Sequence, residues 1–314
     1  MQIVRPLNIG YIFLLLTLTG CGSGSSETTA PPTAVSSGRI DWQQQSSPTL
    51  PDGLQFYRGS KDNQASFAAW YLLLDGQGSS LSLTPVKSEP FLTLPELTTA
   101  NLIAAVNGGY FGGDQSYSAA IAGNELLSKN IVSLNRFGKS YPVMRALFYL
   151  DTNGEAQVSW AYHFGNAISD IRTYAAPLPY QNNDATPQTA PAIAAGNPLP
   201  ALQMAIGGGP VLVRQGTKVL SYNEEIFWGS GVELDDVRPR TAIGYTASGQ
   251  ILLFVTNAMR LADLPEHLLE LGVEGAINLD GGGSTAMRLL DNSIYSQQRA
   301  VPIAVTIQQT TPQP

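Results

Sequence analysis

The sequence predicts an α+β protein: a single domain of mixed, mostly antiparallel β-sheet with few helices. Two observations predict this class. Short apolar segments recur along the chain and are separated by Gly-containing turn signals, and only two segments carry helix signals, without strand–helix alternation. The chain of 314 residues is 43% hydrophobic with 31 Gly and 21 Pro, which is enough apolar material for a sizeable core.

The first predicted strand is Phe67–Leu74, an apolar, aromatic-rich run that ends at Asp75-Gly76. A helix start is predicted at Thr93, because Glu96 follows three residues later and can complete a capping box. Leu102–Val106 is the next predicted strand.

Three β-hairpins are predicted where two apolar segments flank a dipeptide that ends in Gly, the usual signature of a tight turn. They are Ala146–Leu150 with Ala156–Trp160 around Asn153-Gly154, Val211–Val213 with Lys218–Leu220 around Gln215-Gly216, and Thr241–Tyr245 with Ile251–Val255 around Ser248-Gly249.

A helix is predicted over Leu264–Leu271, with Asp263 as its cap and Gly272 as its end. Val273–Leu279 and Val301–Ile307 are the last predicted strands. Residues 177–200 are rich in Pro, Ala and Asn and lack periodicity, so they predict a long surface loop. This loop either edges a site or is an insertion without chemistry.

The N-terminus predicts a targeting segment. Residues 7–20 are apolar and follow Arg5, and the run is shorter than a membrane span. It ends in Leu-Thr-Gly before Cys21, which resembles a bacterial lipobox, in which the Cys is acylated. We therefore expect a lipid anchor on Cys21 and a location in the bacterial envelope. Gly22, in place of an Asp, favours the outer membrane.

The expected organisation has four parts. They are a lipoprotein signal peptide (1–20), a flexible tether from lipidated Cys21 (21–38), one domain that contains the Pro-rich loop (39–308), and a tail (309–314).

Charge and composition exclude several classes. The net charge is −7 and no basic block occurs, so nucleic acid is not an expected partner. One Cys and two His exclude disulfide scaffolds and Cys- or His-rich zinc sites. We expect no cofactor, with a divalent cation such as calcium left open.

Three glycine-rich segments share one layout, in which an apolar strand runs into consecutive glycines. They are Asn107-Gly108-Gly109-Tyr110-Phe111, Gly207-Gly208-Gly209-Pro210, and Asn278-Leu279-Asp280-Gly281-Gly282-Gly283-Ser284. Glycine amides can converge on an anion, so the three junctions predict an anion-binding floor at one sheet edge. Arg238 and Arg240 would lie on one side of an extended segment and bind a phosphate. The alternative is that these glycines only make turns.

Asp280 is the prominent acid, because it follows an apolar strand and precedes three glycines. This position suits a general acid or base, a nucleophile or a metal ligand, and the alternative is a turn-forming Asp. A pairing of Ser284 with His163 as a serine hydrolase is a weaker alternative. The acids between Glu224 and Asp236 are expected to be solvated or to pair with the arginines, with a calcium site as a minority interpretation.

In this order, the segments NGGYF, GGGPVLVRQG, RPRTAIGYTASGQILLFV and LPEHLLELGVEGAINLDGGGSTAM resemble the phosphodiester glycosidase family, over about residues 65–308. The resemblance implies an α+β domain that hydrolyses a sugar-1-phosphate diester. The positions that match the family motifs are Asn107, Gly108, Gly109, Tyr110, Gly208, Gly209, Arg240, Thr241, Asp280, Gly281, Gly282, Gly283 and Ser284.

One segment departs from the family pattern. After Val255 the family usually carries Asp-Gly-Arg, whereas this chain has Thr256-Asn257-Ala258-Met259-Arg260, so the acid is missing. The expected catalytic residues are Asp280, Arg240 and Asn107, with Arg238, Thr241, Tyr110, Ser284 and the glycines as substrate-binding residues. The expected partner is a carbohydrate phosphodiester or envelope polysaccharide. A non-catalytic lipoprotein that binds glycan is the alternative function.

Overall fold

The computed structural model describes residues 38–46, 49–76 and 80–310. The proposed signal peptide, Cys21 and most of the tether lie outside these residues. Within them the chain forms strands that are, in order, β1 (Asp41–Gln44), β2 (Leu54–Ser60), β3 (Ala69–Leu74), β4 (Leu81–Leu92), β5 (Leu102–Asn107), β6 (Phe111–Gly112), β7 (Gln115–Ser116), β8 (Ala120–Ala122), β9 (Glu125–Ser128), β10 (Ser133–Arg136), β11 (Lys139–Pro142), β12 (Arg145–Asp151), β13 (Ala156–His163), β14 (Ile171–Tyr174), β15 (Asn197–Pro198), β16 (Leu202–Gly207), β17 (Val211–Arg214), β18 (Thr217–Lys218), β19 (Arg238–Thr246), β20 (Ile251–Met259), β21 (Val273–Asn278), β22 (Ala286–Leu289), β23 (Asn292–Ser296) and β24 (Val301–Gln309).

The strands pair antiparallel in three larger sheets. The eight-stranded sheet has the order β1-β2-β3-β20-β19-β21-β17-β18, the seven-stranded sheet β15-β14-β13-β12-β16-β8-β9, and the five-stranded sheet β23-β22-β5-β24-β4. Two two-stranded ribbons, β6-β7 and β10-β11, lie outside them. The mostly antiparallel α+β prediction is confirmed.

One apolar core joins the three sheets. It contains residues from each sheet, for example Ile277, Phe148 and Val305. The other face of the eight-stranded sheet carries a second core, formed by alternate residues such as Ala242 and Phe254 together with the helix α1 (Leu264–Glu270). This alternation follows from the two-residue period of a strand and explains why β19 and β20 are apolar on both faces.

The three predicted hairpins are confirmed. Residue Ala146 pairs with Trp160, Val213 with Lys218, and Thr241 with Val255. Gln215 and Gly216 both have positive φ, as a tight hairpin turn requires. β24 extends to Gln309, beyond the predicted end at Ile307.

The helix predicted from Thr93 is wrong. Leu94–Glu96 is a single 3₁₀ turn, although the Glu96 carboxylate accepts the backbone N–H of Thr93 at 2.9 Å. The Arg288 Nη1 donates to the carbonyls of Leu94, Pro95 and Leu97, at 3.3, 3.3 and 2.8 Å, and these carbonyls would otherwise accept the next helical amides.

The helix near residue 264 is confirmed, and Gly272 follows it with φ +75°. Asp263 is the N-cap residue, as predicted, but its carboxylate makes no capping hydrogen bond and instead accepts Nε and Nη2 of Arg260, both at 2.8 Å. In the described part of the chain, no helix is both long and apolar enough to cross a membrane.

The Pro-rich segment is mostly exposed, as predicted, but it is tied to the domain. Tyr180 is fully buried, and the Tyr141 hydroxyl donates to the Asp184 carbonyl at 2.8 Å. Near its end, β15 pairs with β14 at Asn197 and Pro198. The loop is therefore an ordered cover over the aromatic cluster at Tyr141.

Candidate active site

The three glycine-rich junctions come from three different sheets and meet. β5 ends at Asn107 in the five-stranded sheet, β16 at Gly207 in the seven-stranded sheet, and β21 at Asn278 in the eight-stranded sheet. The Asp280 N–H donates to the Gly108 carbonyl at 3.1 Å, and the Gly209 N–H donates to the Asn278 carbonyl at 2.7 Å. The site therefore lies where all three sheets come together.

Close backbone approach explains the glycines. A Cβ on Gly208 would collide with the Asn278 carbonyl oxygen, and one on Gly109 with the Gly207 carbonyl oxygen. Gly209 has φ +130° and lies against the Glu225 carboxylate, so it combines an unusual backbone conformation with lack of space.

Four of the glycine amides expected to form the anion-binding floor donate to groups within the fold. The amides of Gly108, Gly208 and Gly209 donate to backbone carbonyls, at 2.8, 3.2 and 2.7 Å respectively. The Gly281 amide donates to the Asp280 carboxylate at 2.9 Å. Gly282, Gly283 and Ser284 form a 3₁₀ turn that follows Asp280. Because the strand ends must pair with each other to converge, their amides are already occupied.

The Asn107 side chain is buried and connects neighbouring strands by hydrogen bonds. Its Nδ2 donates to the Asp280 carbonyl at 2.7 Å, and its Oδ1 accepts the Thr241 hydroxyl at 2.7 Å and the Ala286 N–H at 3.1 Å. The side chain therefore has no free polar atom for a substrate. It fixes the backbone of Asp280 relative to β5, β19 and β22.

Tyr110 occupies the centre of the junction. Its hydroxyl donates to the Gly209 carbonyl at 2.8 Å and accepts Asn278 Nδ2 at 2.7 Å. Burial and the Asp280 carboxylate raise the pKa of Tyr110, whereas the positive charges of Arg145 and Arg240 oppose that rise. One carboxylate and two guanidinium groups therefore act on the same phenol.

Asp280 is half-buried in a polar setting. Burial raises its pKa, and hydrogen bonds from Ser284 and the Gly281 amide, with the charge of Arg299, partly offset that rise. Arg299 lies over the Phe111 ring at 4.4 Å and donates to the Ser284 hydroxyl at 3.3 Å. These neighbours stabilise the ionised form against desolvation, which suits a carboxylate that reacts as a base or nucleophile.

The two predicted arginines differ in environment. Arg240 is only 2% exposed, and its Nε and Nη2 donate to the carbonyls of Met259 and Asp236 at 3.0 and 2.7 Å. Burial lowers the pKa of Arg240 to about 10. Arg238 is partly exposed and pairs with the Asp236 carboxylate. Both guanidinium groups therefore contact Asp236, Arg238 at its carboxylate and Arg240 at its carbonyl oxygen.

The segment that departs from the family motif lies beside Arg240. Thr256 pairs with Arg240 in the ladder, is fully buried, and donates to the Ala68 carbonyl at 3.1 Å. Asn257 accepts the Ala68 N–H at 2.9 Å. No carboxylate replaces the missing acid at these two positions.

Sequence reasoning missed Arg145, the first residue of β12. It is 6% exposed, its guanidinium lies 4.2 Å from the centre of the Phe227 ring, and its Nη1 has no hydrogen-bond partner in the described residues. It lies in the segment Pro142-Val143-Met144-Arg145, which carries no glycine or motif signal. An Arg at the start of an otherwise apolar strand was the available hint.

The acidic stretch is only partly solvated. Glu225 is fully buried, and its carboxylate accepts the N–H groups of Ala146 and Val211 at 2.8 Å each, the Ser221 hydroxyl at 2.6 Å, and Trp160 Nε1 at 3.2 Å. Glu225 therefore fixes the backbone on both sides of the cavity described next. Asp236 pairs with Arg238 as expected.

A cavity of about 280 Å³ adjoins Tyr110. Polar and charged groups on its wall are Tyr110, Ser118, Arg136 and Arg145, and Phe111 connects it to the Asp280 cluster through Arg299. A larger cavity of about 1090 Å³ lies at the other end of the β19–β20 hairpin, around Ser248, and contains none of the predicted site residues.

The geometry supports neither a Ser284–His163 pair nor a metal site built from carboxylates among the described residues. Both ring nitrogens of buried His163 lack hydrogen-bond partners among the described residues, so His163 does not pair with Ser284. No group of three or more His, Cys, Asp or Glu side chains within the described ranges could hold a metal ion.

The sequence model of the phosphodiester glycosidase family matches residues 100–308. This range is two thirds of the chain and contains every predicted site residue of the domain. The chain therefore belongs to the phosphodiester glycosidase family. A search of curated proteins finds no match to this chain.

Three solved structures share the fold. They are a hypothetical protein from Synechocystis (18% identity, TM-score 0.52, covering 86% of this chain and 68% of that one), the zebrafish N-acetylglucosamine-1-phosphodiester alpha-N-acetylglucosaminidase catalytic domain auto-inhibited by its pro-peptide (18%, 0.55, 86% and 88%), and a protein from Burkholderia pseudomallei (15%, 0.53, 77% and 74%).

Proposed function

We propose that the chain hydrolyses a glycosyl phosphodiester, a sugar-1-phosphate diester, at the cell envelope. The observation that carries the proposal is the position of Asp280 where strand ends of three sheets meet, held by Gly108 and Asn107. The charges of Asp280, Arg145 and Arg240 all act on the neighbouring buried Tyr110. A carboxylate beside guanidinium groups suits a substrate whose reacting carbon becomes positive while its leaving group becomes negative. Membership of the family gives the reaction class.

In the proposed reaction the bond between the anomeric carbon and the bridging phosphate oxygen breaks. The electron pair goes to that oxygen, which leaves as part of a phosphate monoester. In one route Asp280 attacks the anomeric carbon, and water then cleaves the resulting glycosyl ester, frees the Asp280 carboxylate and gives its proton to the departing phosphate. In the other route Asp280 takes the proton of the water that attacks the anomeric carbon directly. The sugar gains the hydroxyl of water in both cases. A phosphate monoester is a better leaving group than a sugar alkoxide, so one carboxylate suffices where most glycosidases use two.

Asn107 and Ser284 have supporting roles in this proposal. Asn107 positions Asp280 through its backbone carbonyl, and Ser284 and Arg299 favour the ionised carboxylate. The half-buried Asp280 would then act in a setting with little water, where charge stabilisation is strong.

A second candidate function is glycan binding without turnover. Thr256 and Asn257 stand where the family usually carries an acid, and both side chains are used in backbone hydrogen bonds at Ala68. Under this alternative the site binds a carbohydrate phosphodiester or phosphorylated polysaccharide of the envelope, and no sugar is released.

We further propose that Cys21 carries a lipid anchor and that the protein resides at the outer membrane. The support is the apolar segment of residues 7–20 that ends at this Cys. The proposed substrate would then be an envelope glycan, reached from the membrane surface through the segment that precedes residue 39.

The test is sugar release by the purified full chain from an N-acetylglucosamine-1-phosphate methyl diester, with the matching methyl glycoside as the second substrate. We expect release from the diester, and loss of release in Asp280→Asn. Asp291→Asn, which changes a fully exposed acid, should be as active as the wild type. Binding of the diester with no release at any pH would favour the glycan-binding alternative. Full activity of Asp280→Asn would remove Asp280 from the reaction.

A further inference from the structure

The charge of Arg145 is buried next to a cavity and is not neutralised by a bound partner. Its Nη1 has no hydrogen-bond partner, and within the described part of the chain the side chain forms no ion pair. One face of the guanidinium packs on Phe227. Burying an unpaired charge is costly, so such a group is retained where a ligand or a function uses it.

Glu225 is the nearest opposite charge, but it serves other donors. Two backbone amides, the Ser221 hydroxyl and Trp160 Nε1 already occupy its two oxygens. Glu225 reduces the cost of burying Arg145 by its charge alone. The fork of guanidinium N–H groups is therefore left for a planar or tetrahedral anion.

A second arginine increases the positive potential of the same cavity. Arg136 lines it and is held by the carbonyls of Trp228 and Ile226, at 3.0 and 3.4 Å. The charge of Arg136 lowers the pKa of Arg145, as expected for two like charges with no anion between them. A bound anion would relieve this repulsion and pair with Arg145.

The rest of the cavity wall is largely apolar. It includes Ile131, Leu134, Val232 and the rings of Phe111, Tyr117 and Phe227. The volume of about 280 Å³ is at the small end of ligand pockets, so it fits a phosphoryl group with a short apolar substituent and excludes a sugar chain. Charge at one point and apolar walls around it match a phosphate ester.

We propose that this cavity is the phosphoryl subsite, in which Arg145 binds the phosphate and the apolar walls contact the first atoms of the alcohol on its far side. The inference rests on the proposed function and names the residue that selects its substrate class. It assigns the phosphate to the side chain of a residue outside the glycine motifs, and not to the amides of Gly108, Gly208 and Gly209, which donate to backbone carbonyls. Tyr110 lines the cavity, and the charges of both Arg145 and Asp280 act on it, so the sugar side of the ester would face Asp280.

The test measures binding of inorganic phosphate and phenyl phosphate to the full chain by titration calorimetry. We expect phenyl phosphate to bind more tightly than phosphate, because its ring meets the apolar wall. Arg145→Met should weaken both by at least about tenfold, the loss that matches one charge-assisted hydrogen bond. Arg172→Met, a change of a partly exposed arginine on β14, should bind both anions like the wild type.

Binding of anions is measured without turnover, so it separates this inference from the proposed function. Equal affinity of wild type and Arg145→Met would overturn the inference, even if the wild type hydrolyses the diester. Absence of anion binding to the wild type at millimolar concentration would also overturn it.

A second measurement needs no variant, in case Arg145→Met does not fold. Crystals of the wild-type full chain soaked in tungstate, a tetrahedral phosphate analogue, should give an anomalous peak within hydrogen-bond distance of Arg145. A peak only beside Arg240 or the Gly282–Ser284 turn would place the anion elsewhere and refute the subsite.

Discussion

The surroundings of Asp280 shift its pKa in two opposite directions. Burial raises its pKa and so disfavours the ionised form, while Ser284, the Gly281 amide and Arg299 favour that form. Ionisation of Asp280 therefore has a cost to the stability of the fold. Such a cost is common at reactive carboxylates.

Asp280→Asn should lose activity by about 10²- to 10⁴-fold, the usual contribution of a general base, and should melt at higher temperature than the wild type at pH 7. The folded state holds the Asp280 proton more tightly than the unfolded chain, so the wild type loses stability as pH rises through the raised pKa. Thermal unfolding at pH 3 and pH 7 checks this. An advantage of the variant that does not grow with pH would contradict it.

Ser284→Ala should move the acidic limb of the pH–rate profile to higher pH. Removing the hydroxyl takes away a hydrogen bond that lowers the pKa of Asp280, so the base becomes protonated at higher pH. The acidic limb of the kcat/KM profile is the quantity to measure, with Ser293→Ala, at an exposed position of β23, as control. A limb that stays in place, or moves to lower pH, would show that Ser284 does not act on this carboxylate.

Elements with local signals could be predicted from the sequence, and elements that depend on tertiary contacts could not. The hairpins followed from Gly-containing dipeptides between apolar runs. The Thr93 helix failed because Arg288, far along the chain, occupies the carbonyls of that turn. The Asp263 side chain does not cap the helix because its carboxylate accepts a hydrogen bond from Arg260. In both cases an arginine competes with the helix for hydrogen bonds.

The Asn107 side chain connects three elements by hydrogen bonds, and its replacement should lower the free energy of unfolding. Asn107→Leu keeps the approximate size but leaves the Thr241 hydroxyl and the Ala286 N–H without an acceptor, at about 1–3 kcal/mol for each unsatisfied group. We expect the free energy of unfolding in urea to fall by about 3 kcal/mol. Asn292→Leu, at an exposed position of β23, should change it little. Similar losses of unfolding free energy in both variants would show that the Asn107 hydrogen bonds do not stabilise the fold.

At the scale of the whole molecule, part of the candidate site could be predicted from the sequence. The glycine junctions and Asp280 were visible because three apolar strands each run into consecutive glycines. The junctions do meet, but at the junction of three sheets and not at one sheet edge. The sequence could not show that the amides of Gly108, Gly208 and Gly209 donate to backbone carbonyls, because those partners come from other segments. Arg145 was missed since burial, which makes its charge informative, depends on Phe227 and Glu225 from distant segments.

Anchoring concerns the entire chain and is tested on it. Cys21→Ala should move the protein from the membrane fraction to the soluble fraction of cells, because the thiol that would carry the lipid is gone. Labelling with a radioactive fatty acid should be lost as well, while sugar release per molecule is kept. A variant that remains membrane-bound and labelled would rule out Cys21 as the anchor.

Gly108, Gly208 and Asp280 follow strands of the three large sheets, so no single sheet contains the whole site. An activity assay on this protein is accordingly also a folding assay: in a denaturant titration, turnover should vanish at the same concentration as the far-ultraviolet signal of the strands. For the same reason, splitting the chain into separately expressed halves would give two inert pieces, and only their reassociation would restore a working enzyme.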